Sequence, residues 1–122
     1  MQNIGDSAFS LCTSLKTAAV SATLGTSMFY GCTSLESISV QMSIYDAGRT
    51  IPASAFCNCY NLKSIVIPSG ITKIGDSAFE RTGITSISMP DTVTEIGTEA
   101  FKECRNLRSV SISEFVTALD HT

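Results

Sequence analysis

The chain has a single histidine, His121, only three prolines, and charge on no more than 16% of its 122 residues. Each scarcity closes off a class of function. One histidine near the last residue cannot serve the two GDS strings, Gly5-Asp6-Ser7 and Gly75-Asp76-Ser77, which imitate an esterase nucleophile block but need a His base and an orienting Asp each. No G-x-S-x-G, G-x-G-x-x-G or phosphate-binding P-loop occurs, so no sequence signature of an enzyme or nucleotide site is present. The eight Lys and Arg residues are scattered without a run and the net charge is −3, which argues against nucleic acid as a partner. Asp and Glu are spread singly, with no D-x-D cluster for calcium, and no N-x-S/T acceptor for glycosylation exists. No apolar run approaches the roughly 18–20 residues of a membrane span, and the first residues lack the pattern of a signal peptide.

What is abundant is regularity. Phe9, Phe29, Phe56, Phe79 and Phe101 recur 20, 27, 23 and 22 residues apart, each closing a similar phrase: IGDSAF, LGTSMF, IPASAF, IGDSAF and IGTEAF. Repeats therefore start near 4, 24, 51, 74 and 96 within a single domain, 1–122. A period of 20–30 residues predicts a solenoid in which each unit buries its apolar side only by stacking on its neighbours. Three residues after Phe comes Cys12, Cys32, Cys59 or Cys104, and three further on Leu15, Leu35, Leu62 or Leu107. The fourth copy departs from the pattern: Thr82 stands at the cysteine place, and the copy is one residue short, so Ile84 takes the leucine place.

An alternating run follows in every copy: Ala18 and Val20, Ile38 and Val40, Ile65 and Ile67, Ile87 and Met89, Val110 and Ile112. Period two with β-branched residues predicts one short, half-buried strand per repeat. Pro68 and Pro90 follow two of these strands and end pairing. Beyond them the chain turns, passes a second buried position at Ile71, Val93 or Val116, and reaches the IG-x-x-AF phrase. There Gly5, Gly25, Gly75 and Gly97 suit a tight turn, and the following residues suit a short helix or 3₁₀ turn that points Ala and Phe inward.

The combined pattern IG-x-x-AF-x-x-C-x-x-L-x-x-I-x-I-P resembles the BspA-like subfamily of leucine-rich repeats, and the resemblance covers roughly residues 4–119. That family is known from surface proteins of mouth and gut bacteria and of some parasitic protists. The resemblance implies an α/β-class leucine-rich repeat solenoid, a curved right-handed superhelix of about five repeats, with short parallel strands on its concave side. It also implies a non-catalytic binding or adhesive module, extracellular or at the cell surface, whose partner is a protein or glycan on host or neighbouring cells. A passive spacer in a larger surface protein and an intracellular interaction scaffold are the alternatives. No cofactor and no metal is implied.

The alternation also lists the face turned away from the core. It comprises Thr17, Ala19 and Ser21; Ser37, Ser39 and Gln41; Ser64, Val66 and Pro68; Ser86, Ser88 and Pro90; and Ser109, Ser111 and Ser113. Small hydroxyls in rows give a hydrogen-bonding platform with little side-chain entropy to lose; they also fit any solvated inner sheet without binding anything. Lys16, Glu36, Lys63, Thr85 and Arg108 should line its margin. A second candidate surface is the insertion at 42–50, where Tyr45, Asp46 and Arg49 carry the anchor chemistry of interfaces.

The five cysteines read best as structural thiols in register, with a disulfide or a metal site as the competing readings. Cys57 lies off the register, directly after Phe56, and is the candidate exposed, reactive thiol. Neither end shows a polar cap, so the chain reads as a piece of a longer array. Self-association through Phe9 at one end, or Val116 and Leu119 at the other, is expected.

Overall fold

A computed structural model describes residues 6–20, 25–40, 50–111 and 118–119. Among these residues eight short strands occur, β1 (Thr17–Val20), β2 (Ser37–Val40), β3 (Thr50–Ile51), β4 (Lys73–Ile74), β5 (Ser86–Ser88), β6 (Glu95–Ile96), β7 (Ser109–Ser111) and β8 (Ala118–Leu119). Every pairing is parallel and joins one repeat to another, so the strands can exist only as a stack. The alternating runs supply β1–β2 and β5–β7, with Ala18 opposite Ile38, Val20 opposite Val40 and Ile87 opposite Val110.

A second ladder, which the one-strand expectation did not include, orders β3–β4–β6–β8 and sets Ile51, Ile74, Ile96 and Leu119 in register. It lies immediately before the Phe phrase, where only a turn was foreseen. Two paired residues per copy are too few to imprint an alternation on the sequence.

Between the second ladder and the Cys position there is no helix. The segment is a chain of tandem turns. In the second copy Met28 N–H bonds Gly25 O, Tyr30 N–H bonds Ser27 O and Cys32 N–H bonds Phe29 O, while Ser27, Phe29 and Gly31 donate instead to Ala53, Ala55 and Cys57 of the next copy. Alternate N–H groups are thus shared between the local turn and the neighbouring repeat, and a helical i−4 ladder has no donors left. The conformation requires positive φ at Ser7, Ser27, Ser54, Ser77 and Glu99, at 56–59°, and again at Leu11, Gly31, Asn58, Arg81 and Glu103. Strain of this kind persists only where surrounding bonds over-determine it, as the bonds between repeats do.

The phenylalanines form the expected spine. Successive ring centroids from Phe9 to Phe101 stand 5.5, 5.6, 5.4 and 5.6 Å apart with the rings within 11° of parallel. Phe29, Phe56 and Phe79 are fully buried, as are Leu35, Leu62, Ile84, Ile71 and Val93, whereas Phe9, covered on one side, is 38% exposed. Gly75 and Gly97 open the expected tight turns, their carbonyls accepting from Ala78 and Ala100 N–H, but they have no positive φ there; what they require is room. A Cβ on Gly75 would stand 2.7 Å from Ala53 N, and one on Gly97 would run into Asp76 Oδ1.

The third copy departs from the expected strand. Ser64, Ile65, Val66 and Ile67 keep the alternation, exposed and buried in turn, yet form no ladder with either neighbour. Its leading bonds are stretched: Lys63 N–H reaches Glu36 O at 3.5 Å and Thr85 N–H reaches Lys63 O at 3.3 Å, against 2.8 Å for Glu36 to Lys16 and for Arg108 to Thr85.

Candidate functional site

Ser37, Ser39, Ser64, Val66, Ser86, Ser88, Ser109 and Ser111 are all exposed; pairing sets the serines of β2 beside β1 and those of β5 beside β7, and the unpaired stretch with Ser64 and Val66 comes between them in the order of copies. Thr17 stands opposite Ser37, Ala19 opposite Ser39, Ser86 opposite Ser109 and Ser88 opposite Ser111. In the middle of these hydroxyls Val66 is 80% exposed. The margin is placed as expected: Lys16, Glu36, Lys63, Thr85 and Arg108 are exposed and successive members are linked by backbone bonds. Ser21, Gln41, Tyr45, Asp46, Arg49 and Ser113 lie outside the described residues, as does His121.

The cysteines on the register act through their backbone neighbours. Cys32 Sγ donates to Phe9 O at 3.0 Å, Cys59 Sγ to Phe29 O at 3.1 Å and Cys104 Sγ to Phe79 O at 2.9 Å. Each thiol thereby adds a second donor to a carbonyl of the preceding copy that already closes its own turn, tying the two copies together beside the Phe spine. Thr82 fits the same place as a small, buried polar residue, its hydroxyl 3.4 Å from Cys104 Sγ of the next copy. All five thiols are free.

Cys57 is not the exposed thiol anticipated. It is only 6% exposed, and burial pushes its pKa up, with the Glu80 carboxylate adding to the effect and Arg81 opposing it. The residues at the same place in the other copies, Ser10, Tyr30, Glu80 and Lys102, are half-buried or exposed, so the burial of Cys57 is particular to the third copy. Burial likewise raises Cys32, and pushes Cys59 up to about 12. A thiol so far from its thiolate is a poor nucleophile and a poor metal ligand.

The GDS strings are also accounted for. Asp76 Oδ1 accepts from Thr98 N–H and Asp6 Oδ1 from Thr26 N–H, both at 2.9 Å, so each carboxylate ties its copy to the next. Ser77 N–H bonds Thr98 O in the same junction. Among the described residues no three His, Cys, Asp or Glu side chains converge as metal ligands would.

One feature escaped the sequence reading. Where the fourth copy is a residue short, a notch of about 250 Å³ opens, lined by Tyr60, Arg81, Thr82, Gly83, Glu103, Arg105 and Asn106. Arg81 Nη2 and Arg105 Nη2 meet opposite oxygens of the Glu103 carboxylate at 3.0 and 3.1 Å. The hydrogen bond from Arg81, then the charges of both arginines, hold the Glu103 carboxyl below its ordinary range. The missing residue was visible in the Thr82-Gly83-Ile84 spacing, but a gap in one copy means an opening only once the flanking copies are in place.

The family model described as a BspA type leucine rich repeat region matches residues 22–122. Among solved structures, a leucine-rich repeat protein from Bacteroides ovatus is 36% identical with a TM-score of 0.78 over 89% of this chain. A leucine rich cell surface protein from Faecalibacterium prausnitzii is 33% identical with a TM-score of 0.76 over 88%. A leucine rich repeat protein of T. pallidum is 28% identical with a TM-score of 0.82 over 98%. The chain spans 28%, 28% and 62% of the lengths of those three proteins. No curated protein matches it.

Proposed function

Because this chain belongs to the BspA-type leucine-rich repeat family, we propose that it is a non-catalytic recognition module of a cell-surface or secreted protein, binding a protein or glycan through its serine face. The observation that carries the reading is Val66. An aliphatic side chain 80% exposed amid exposed serines is an apolar anchor within a hydrogen-bonding field, the composition of an interface centre. Covering it would contribute on the order of 2 kcal/mol, while the serines lose little rotamer freedom when a ligand orders them. Surface location is supported by the description of the F. prausnitzii relative as a cell surface protein. Tyr45, Asp46 and Arg49 belong to the proposal on sequence grounds, since the segment that holds them runs directly into β3.

The test is an array of glycans and extracellular matrix proteins probed with the wild-type chain and with Val66→Asp. Binding abolished by Val66→Asp supports the serine face. A passive spacer binds nothing above background, and retention by the variant places recognition elsewhere.

A further inference from the structure

The notch at the short fourth copy is separate from the serine face, and its walls have a chemistry of their own. We infer that it is a subsite for one carboxylate-bearing sugar ring, with Arg105 holding the carboxylate and the Tyr60 ring packing against the sugar face. The opening is built into the backbone. Thr82 and Gly83 occupy the stretch that elsewhere holds an additional residue, and Gly83 is buried tightly enough that a Cβ there would run into Tyr60 O. Nothing larger than glycine can stand at this floor position unless the chain shifts.

At about 250 Å³ the space is below the roughly 300–1,000 Å³ that encloses a drug-sized molecule, and it suits a single ring. Its charge pattern selects the ring's substituent. Arg81 is engaged by Glu103 at 3.0 Å and by Glu80 at 3.9 Å, so it is spoken for. Arg105 spends a single N–H on Glu103 and its side chain is 81% exposed, which leaves the rest of the guanidinium fork free for a planar anion. The single contact with Glu103 at 3.1 Å holds one corner of that fork at the edge of the notch. Tyr60, 51% exposed, gives an apolar wall for sugar C–H groups, and the Asn106 amide can both donate to and accept from hydroxyls. A bare carboxylate would use Arg105 and leave Tyr60 and Asn106 unengaged, which is why an acidic sugar fits better than an acidic side chain.

The test is a titration of the ¹⁵N-labelled chain with glucuronic acid, and with glucose and acetate as separate controls, followed by amide chemical shifts. The inference predicts saturable shifts clustered at Tyr60, Gly83, Arg105 and Asn106 with glucuronic acid, and at least about tenfold weaker responses to either control. Arg105→Ala and Tyr60→Ala should each weaken binding about tenfold, the scale of losing one charge-assisted or stacking contact. One residue inserted after Gly83 restores the common spacing and should remove binding; the two point variants decide the matter if that insertion unfolds the chain. Val66→Asp should bind the sugar normally, so loss of the serine-face reading leaves this one standing. No saturable shift, an equal response to glucose or to acetate, or binding that survives both Arg105→Ala and Tyr60→Ala would overturn it.

Discussion

Cys59 donates its thiol proton to the backbone oxygen of Phe29, 3.1 Å away and one repeat back. The contact unites the two most regular features of the sequence. Phe29 stacks on Phe56 at 5.6 Å, and the carbonyl beside the stack, which already accepts Cys32 N–H at 3.1 Å, takes the next copy's thiol as a second donor. A residue there must be small, tolerate burial and donate, which admits Cys and Thr and little else.

Cys59→Ala should therefore cost about 1–2 kcal/mol, the loss of a second hydrogen bond to a carbonyl that keeps its Cys32 N–H partner, plus a small void. Cys59→Thr, which installs the residue found at position 82, should cost less. Denaturant melts of both variants check the order, and equal losses would show that only volume matters at this position.

Buried thiols also set a pH dependence. In the unfolded chain a cysteine titrates near 9.0, whereas Cys59 is pushed up to about 12 and Cys32 and Cys57 are raised too. A folded pKa above the unfolded one gives stability that is fully present below pH 9 and is lost as pH rises toward 12. Melting points measured from pH 7 to 11 should be flat at first and then fall. At pH 8, a thiol reagent should leave Cys32, Cys57 and Cys59 unmodified until the chain is unfolded.

Position in the spine should grade the damage from losing a ring. Phe79, fully buried between Phe56 and Phe101, should cost about 3–5 kcal/mol as Phe79→Ala. Phe9, 38% exposed and stacked among the described residues on Phe29 alone, should cost about 1–2 kcal/mol. Comparable losses from calorimetry would contradict a stacked spine.

Backbone constraints make opposite predictions two residues apart. Gly97→Ala drives a methyl into Asp76 Oδ1 and nearby backbone, and should destabilise by about 1–3 kcal/mol. Glu99 stands at φ 59° and loses only an exposed pair with Lys102 on replacement, so Glu99→Gly should be neutral or stabilising by up to about 1 kcal/mol. Thermal melts distinguish the signs.

The sequence made the periodic parts legible and hid the cooperative ones. Ile87 and Val110 announce paired strands through alternation, and Phe79 and Cys104 announce the spine through spacing. Ile51 and Ile74 give no such sign, because a two-residue strand has no period of its own. Ser77 looks like a helix or 3₁₀ residue, and only its donation to Thr98 O of the next copy explains its left-handed backbone. The exposed members of the serine face followed from alternation alone, including Val66. The stand-off of 64–67 did not, since it depends on both neighbouring copies. Cys57 was misjudged because a place off the register says nothing of burial: Tyr30 and Glu80 at the same place are half-buried and Lys102 is exposed.

The decisive measurement compares the wild-type chain with Val66→Asp on one array of glycans and matrix proteins, with circular dichroism confirming equal folding. The serine-face account predicts discrete ligands for the wild type and their loss in Val66→Asp, since the substitution puts a charge at the apolar centre of the face and nothing into the core. The same ligands bound equally by both proteins, or none bound by either, would contradict it.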